Sequence, residues 1–235
     1  MSLSAVQDGD GVAAVDRALA IVDVIAQRNE PITLADLSRA TGFYKSTLLR
    51  LIASLERASL VIRRADGRYA LGSYAHQLGR SYEAAYRLSE VVLPLLQEMV
   101  EKGSESGSFH TYHDPQSRIC LLRVDSYHST LDRIRVGELL PLDRGAAGKL
   151  ISLYCQGDSV ASKNNLFALS MGERDPNCAA VASPVFGPDN EFCGAISLSG
   201  PKERFTPAAV KKMSRMAQNA AKQATQALGG RWPGP

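Results

Sequence analysis

The sequence lacks a long apolar run, and none approaches the roughly 18 consecutive apolar residues that a membrane-spanning helix needs. It also lacks an N-terminal pattern of basic residues followed by an apolar stretch, which a secretory signal requires. Four cysteines stand at positions 120, 155, 178 and 193, without a CxxC pair or a zinc-type spacing to histidine. We therefore expect reduced thiols, a cytoplasmic location, and neither metal nor cofactor.

Charge of one sign is not in large excess, since the net charge is +3. The composition is globular, with 45% hydrophobic and 22% charged residues. The length of 235 residues predicts one or two domains, and the apolar content is sufficient for modest cores. Nucleic-acid binding is allowed by this balance but not required by it, so the distribution of charge along the chain matters more.

The first third of the chain has the pattern of three helices. Apolar residues recur at three- and four-residue spacing over positions 12–28, and Pro31 ends this first helix. Thr33 stands three residues before Asp36, which is typical of a helix start, and Thr41-Gly42 ends this short second helix. A third helix is predicted over about 44–58. A short helix, then a glycine turn, then a longer helix with a basic start is the order of elements in a helix-turn-helix.

A hairpin is predicted directly after the third helix. Asp66-Gly67 separates two short apolar-containing runs, and both positions tolerate positive φ. Residues 43–72 hold six basic and two acidic side chains, a net charge of +4 that exceeds the charge of the whole chain. A helix-turn-helix with a basic wing predicts binding to DNA phosphates. Some winged helices bind protein instead, but basic residues on both helix and wing disfavour that alternative.

The remainder of the chain indicates an α+β domain. Residues 73–102 have a helical pattern interrupted by Pro94, which predicts two helices or one kinked helix. Strands are predicted over 108–113, 119–124, 133–136, 178–186 and 192–199. A helix is predicted after Gly148-Lys149. A last helix is predicted over 202–229, a range in which Thr206-Pro207 is an N-terminal cap signal. Strands flanked by helices are typical of a sensor domain.

One predicted strand has a face of small side chains. Along 192–199, alternation places Cys193, Ala195, Ser197 and Ser199 on one side and bulkier residues on the other. Such a face leaves space for a ligand and offers hydroxyl groups. The alternative is that small residues only let a helix pack closely on the sheet.

Two other motifs contain residue types that are found in binding sites. The segment 145–149, GAAGK, is not a phosphate-binding Walker loop, because Asp143 and Leu150 occupy the positions of its first glycine and its hydroxyl residue. A helix starting near Gly145 would still offer backbone N–H groups to a carboxylate. His110 and His113 would face opposite sides of a strand and so would not chelate one metal ion.

The order of several motifs resembles the IclR family of bacterial regulators. The stretch from Thr33 to Gly72 is similar to the family's DNA-binding half, including K-S-T-x-x-R-L at the start of helix three and R-Y-x-L-G at the end of the wing. The segments RIRVGELLPLDRGAAGKL and AAVASPVFGPDNEFCGAISLSGP resemble two motifs of its C-terminal half. The resemblance runs from about residue 12 to residue 228.

The resemblance implies a ligand-responsive transcriptional regulator, dimeric or tetrameric, that binds an operator in double-stranded DNA and a small organic acid or aromatic metabolite. Its implied parts are a winged helix-turn-helix domain over 12–72, a linker helix over 73–90 and a GAF-like effector-binding domain over 91–229. The predicted DNA-binding residues are Arg17, Thr33, Tyr44, Lys45, Ser46, Thr47, Arg50, Arg63, Arg64 and Arg68. The predicted effector-binding residues are Leu121, Leu131, Ala146, Ala147, Glu173, Ala180, Cys193, Ser197 and Ser199.

One segment departs from the family pattern. Only 22 residues separate Lys149 from Gly172, where the family has about forty, and residues 155–165 are polar and loop-like. A regulator whose shortened C-terminal domain only oligomerises is therefore an alternative. An enzyme with an appended DNA-binding domain is a further alternative, although no triad or metal constellation in the sequence supports catalysis.

Overall fold

A computed structural model describes residues 11–28, 30–127, 134–156 and 166–233. The chain divides into two compact units, Met1–Tyr86 and Arg87–Pro235. Within the described residues, no helix combines the length and apolar character needed to cross a bilayer.

The first unit has three helices, a two-stranded hairpin and a fourth helix. These are α1 (Ala13–Ala26), α2 (Leu34–Thr41), α3 (Lys45–Arg57), β1 (Val61–Arg63), β2 (Tyr69–Leu71) and α4 (Ser73–Tyr86). The Thr33 hydroxyl accepts a hydrogen bond from the Asp36 amide at 3.1 Å, which confirms the predicted start of α2. Gly42 ends α2 in the left-handed conformation, with φ of 73°.

A single apolar core holds these elements together. Leu37 of α2, Leu48 and Ile52 of α3, Ile21 of α1 and Val61 of β1 are almost completely buried against one another. The stripes that predicted the helices therefore meet in one small core. The wing turn differs from its prediction in one detail, because only Gly67 has a positive φ and Asp66 does not.

The second unit is built on a six-stranded antiparallel sheet with strand order β5-β4-β3-β8-β7-β6. Its elements are α5 (Leu88–Glu101), β3 (Ser106–Asp114), β4 (Ser117–Asp125), β5 (Leu139–Pro141), α6 (Ala146–Gln156), β6 (Ala168–Met171), β7 (Cys178–Phe186), β8 (Phe192–Pro201) and α7 (Pro207–Ala227). Short 3₁₀ turns cover 188–190 and 202–204. The predicted α+β class is confirmed.

The two faces of this sheet carry different side chains. On one face Phe109, Ile196 and Leu198 pack against Leu96 of α5 and Ala221 of α7 in the larger core. On the other face Ala182 and Ala195 pack against Leu150 and Ile151 of α6 in a smaller core. The small face of β8 therefore lies on the α6 side of the sheet.

Several predicted elements are corrected. The helical break falls at Arg87, which has φ of 49°, whereas Pro94 lies inside α5. The strand predicted at 133–136 is absent from the described residues 134–136, and the neighbouring strand is Leu139–Pro141. The last helix begins at Pro207 rather than 202, and its cap is confirmed because the Thr206 hydroxyl accepts from the Ala209 amide at 3.3 Å. Strand β6 was not predicted.

Candidate functional site

The exposed start of α3 is the first candidate site. Leu48, Ile52 and Leu55 turn into the core, so the opposite side of the helix faces solvent. Tyr44 is 84% exposed, and Lys45, Ser46 and Arg50 are also exposed, while Thr47 is half-buried. The first turn of α3 contains no acidic residue. The helix dipole and Lys45 therefore add positive charge at the same end.

The wing presents further cations. Arg63, Arg64 and Arg68 are exposed around a turn closed by a 2.8 Å hydrogen bond from the Arg64 amide to the Arg68 carbonyl. The hairpin is fixed to the start of α2, because the backbones of Ile32 and Tyr69 exchange hydrogen bonds of 2.9 and 2.8 Å. The wing is thus a rigid basic arm beside the helix-turn-helix.

The two remaining predicted DNA-binding residues lie elsewhere in this unit. Arg17 is exposed on α1. Thr33 is half-buried, and its hydroxyl caps α2 while also donating to the Asp36 carboxylate at 2.7 Å. Thr33 therefore stabilises the start of α2, a structural role that does not depend on DNA.

The second candidate site is a cavity between the start of α6 and the sheet. Five predicted effector-binding residues line it: Ala146, Ala147, Ala180, Ser197 and Ser199. The other lining residues are Ser108, His110, Arg118, Ile134, Gly145, Ser170, Arg174, Asp175, Cys178 and Ala179.

Two predicted effector residues are corrected by local irregularities in the sheet. A shift in the β3–β4 register leaves Leu121 unpaired, as the extra residue of a bulge on β4, and Leu121 packs against the larger core and does not line the cavity. A second shift places Cys193 between the pairs Val185–Gly194 and Phe186–Phe192, so Cys193 also packs against the larger core. Strict alternation therefore fails at these points.

Glu173 lies beside the cavity and not in its lining. Its carboxylate accepts from the Gly145 amide at 3.3 Å and pairs with Lys149. Burial raises the pKa of Glu173, but the hydrogen bonds from Lys149 and Gly145 outweigh it and lower the pKa overall. Glu173 thus anchors the start of α6. Leu131, the remaining predicted residue, is outside the described residues.

Arg118 is the main cavity residue that the sequence interpretation missed. It is 3% exposed, and its Nη1 donates to the carbonyls of Pro141 and Arg144. A Cβ at position 148 would lie 2.8 Å from Nη1 of Arg118 and 2.6 Å from the Leu142 carbonyl. Gly148 is therefore explained by close packing over a buried guanidinium. An arginine two residues before buried Cys120, at an alternating position of an apolar strand, was the available signal.

The cavity also has a hydroxyl-rich floor. Ser197 donates to the Val181 carbonyl at 3.1 Å, and Ser106 and Ser199 share a 2.8 Å hydrogen bond. The lining contains two positively charged side chains, Arg118 and Arg174, and one negatively charged side chain, Asp175. This combination suits a small anion with further polar groups. In the part of the chain that the structure describes, no three His, Cys, Asp or Glu side chains gather as a metal site.

Comparison with known proteins agrees with both halves of the fold. The model of the IclR helix-turn-helix domain matches residues 14–65, and that of the bacterial transcriptional regulator IclR C-terminal domain matches residues 160–226. The chain is 23% identical to the transcriptional repressor IclR of Escherichia coli strain K12, over 93% of this chain and 91% of that one.

Solved structures show the same fold. An ICLR transcriptional regulator from Silicibacter sp. TM1040 has a TM-score of 0.80 at 22% identity, covering 93% of this chain and 97% of that one. An IclR homologue from Microbacterium hydrocarbonoxydans, crystallised with 4-hydroxybenzoate, has a TM-score of 0.76 at 16% identity, covering 92% and 100%. One family model matches part of each unit, and together the two models match just over half of the sequence. The chain therefore belongs to the IclR family of DNA-binding transcriptional regulators.

Proposed function

We propose that this regulator is ligand-responsive, and that a small carboxylate-bearing or aromatic metabolite in the α6 cavity alters its affinity for an operator. One observation carries the proposal: a cavity lined by buried Arg118 and by serine hydroxyls lies at the start of a helix. The first amides of α6, at Ala146 and Ala147, lack carbonyl partners within the helix and suit an anion. The homologue crystallised with 4-hydroxybenzoate, which is a carboxylate, supports this choice.

We assign DNA binding to residues 12–72, the linker to 73–90 and effector binding to 91–229. Lys45, Ser46, Thr47 and Arg50 would contact base edges and phosphates in the major groove, because they lie on the exposed start of α3. The wing arginines would hold the phosphate backbone. A ligand that prefers one of two states of the regulator shifts the population toward it, and so changes operator affinity by its differential affinity for those states.

The Arg64→Ala variant tests the role of the wing. Arg64 is exposed on the wing turn, and we expect it to contact phosphate rather than base edges. We expect its removal to weaken binding to every duplex about equally and to lower the slope of log affinity against log salt by about 1. Anisotropy titrations at four salt concentrations, with an operator and an unrelated duplex, measure both effects. An unchanged salt slope would exclude a phosphate contact by Arg64.

Homo-oligomerisation is the next prediction. One winged helix covers only a half-site, so specific binding in a genome calls for two. Val15 and Leu19 of α1, and Val12 directly before it, are more than half exposed, and Tyr74, Leu78 and Tyr82 of α4 are also exposed. We expect these apolar side chains to be buried between two copies, in a dimer or within a tetramer.

Light scattering measures this assembly directly. We expect a mass of at least twice 25.3 kDa at micromolar concentration, and partial dissociation with weaker operator binding in a Leu19→Glu variant. The matched control is Leu49→Glu, which places the same charge on an exposed leucine of α3 and should leave the mass unchanged. A stable monomer that binds its operator with full affinity would contradict the prediction.

A further inference from the structure

His110 has a buried nitrogen atom for which the protein provides no partner. It is 2% exposed on β3, and it lines the cavity. Its Nε2 lies 2.9 Å from the Ser108 hydroxyl, whereas Nδ1 makes no hydrogen bond among the described residues. A buried polar atom without a partner is costly, so a native site that retains one is typically completed by another group.

The imidazole is neutral under ordinary conditions. Burial lowers the pKa of His110 well below its usual value, and the charges of Arg118, Arg123 and Arg174 lower it further. A neutral imidazole has one donor and one acceptor nitrogen. Since the Ser108 hydroxyl can donate to Nε2 or accept from it, Nδ1 can take either complementary role toward a ligand.

Ser197, on the neighbouring strand, adds an acceptor to the same cavity lining. Ser197 pairs with Ser108 across β8 and β3, two residues from His110 along the strand. Its hydroxyl proton is directed to the Val181 carbonyl at 3.1 Å, so the oxygen can still accept a hydrogen bond from a ligand. A ligand hydroxyl, which both donates and accepts, fits this pair of neighbours.

One cation of the lining, Arg118, lies on the other side of His110 from Ser197, while the second, Arg174, lies in the loop between β6 and β7. Arg118 is on β4, His110 on β3 and Ser197 on β8, and these are three adjacent strands of the sheet. The backbones of the outer two are therefore about 10 Å apart. A ligand that extends from Arg118 to Ser197 would meet a guanidinium at one end and the hydrogen-bonding groups of His110 and Ser197 at the other.

We propose that the effector is a hydroxy acid, with its carboxylate toward Arg118 and the start of α6 and its hydroxyl held by His110 and Ser197. His110 is then a specificity-determining residue, which selects the hydroxylated acid against its parent acid. This inference rests on the proposed effector cavity and adds the chemical class of its ligand.

Calorimetry of the full chain with two matched pairs of acids tests the inference. The probes are 4-hydroxybenzoate against benzoate, and 3-hydroxypropionate against propionate. We expect the hydroxylated member of at least one pair to bind at least about tenfold more tightly than its parent. In His110→Phe this preference should fall below about threefold, because phenylalanine cannot hydrogen-bond the ligand hydroxyl.

Ser197→Ala provides a second, smaller change in case the phenylalanine variant does not fold. It should reduce the preference for the hydroxylated acid about threefold to tenfold. Ser183→Ala is the matched control, because Ser183 is also buried and donates to a backbone carbonyl, that of Leu166 at 2.8 Å, but does not line the cavity. The control should bind like the wild type.

The outcomes separate the two levels of the proposal. If both members of a pair bind the wild type equally, the hydroxy-acid inference is overturned while the effector cavity stands. If a folded His110→Phe variant keeps the full preference, another residue holds the hydroxyl, and the role of His110 is wrong. If no acid of either pair binds, the inference and the proposed carboxylate site both fail.

Discussion

The Ser197→Leu variant is expected to remain folded and to lose its response to the effector. Ser197 is 4% exposed on the small face of β8, and it lines the cavity between the sheet and the start of α6. Its neighbours across the sheet are Ser108 on β3 and Ala182 on β7, both small. A leucine side chain therefore extends into the space that the ligand would fill. We expect at least a 100-fold loss of effector affinity, equivalent to about 2.7 kcal/mol.

The cost to stability should be smaller than the cost to binding. Leucine removes one hydrogen bond to the Val181 carbonyl, worth about 1 kcal/mol, but buries additional apolar surface. Thermal melting checks the fold, and calorimetry with operator titration checks the response. Ser197→Ala is the comparison variant, since it removes the hydroxyl without filling the cavity; it should lose no more than about tenfold in effector affinity and should still respond. A folded leucine variant with wild-type effector affinity would place the ligand elsewhere.

The Arg50→Ala variant is expected to weaken operator binding by about 1–3 kcal/mol and to relax sequence preference at one base pair. Arg50 is exposed on α3, five residues after Lys45, on the side opposite the buried Leu48 and Ile52. Because the side chain is exposed, its removal should leave the fold intact. A guanidinium at this place can donate two hydrogen bonds to a guanine edge.

Arg57→Ala is the matched control for this variant. Arg57 is an exposed arginine on the same helix, but it lies in the last turn and donates to the Ser54 hydroxyl at 3.1 Å. It should lower affinity less than Arg50→Ala and without a change in sequence preference. The operator can be obtained by selection from random duplexes with the wild type. If Arg50→Ala binds that operator like the wild type, α3 is not the helix that reads bases.

The N-terminal unit was predictable because its signals are local. Thr33 and Gly42 bound α2, and the apolar spacing of α1 and α3 follows directly from burial in one small core. Once the apolar positions were assigned to the core, the basic residues on the other helix faces could be inferred to be exposed. Their contacts with DNA remain predictions, because exposure identifies a surface but not its ligand.

The cavity was only partly predictable. The small face of β8 and the start of α6 follow from local pattern, and they identified Ser197, Ser199, Ala146 and Ala147. The bulges that turn Leu121 and Cys193 away depend on the pairing of separate strands.

Arg118 and His110 were missed for a related reason. Each lies on a strand face whose surroundings are set by distant segments, and His110 was considered only as a metal ligand. Their presence in the lining makes the cavity more polar than the sequence interpretation suggested.

The shortened segment before Gly172 made an oligomerisation-only C-terminal domain a competing hypothesis. Residues 157–165 fall outside the described residues, so the choice depends on the cavity itself. The cavity's polar lining, with an unpartnered His110 nitrogen, supports ligand binding over purely structural packing.

Operator affinity measured with and without the hydroxy acids, for the wild type and for Ser197→Leu, tests the central proposal most directly. Fluorescence anisotropy with the selected operator gives the dissociation constant in each condition. We predict that at least one acid changes the wild-type constant by about 5- to 150-fold and leaves that of the variant unchanged. An operator affinity that no acid alters, or that changes equally in both proteins, would contradict ligand control through this cavity.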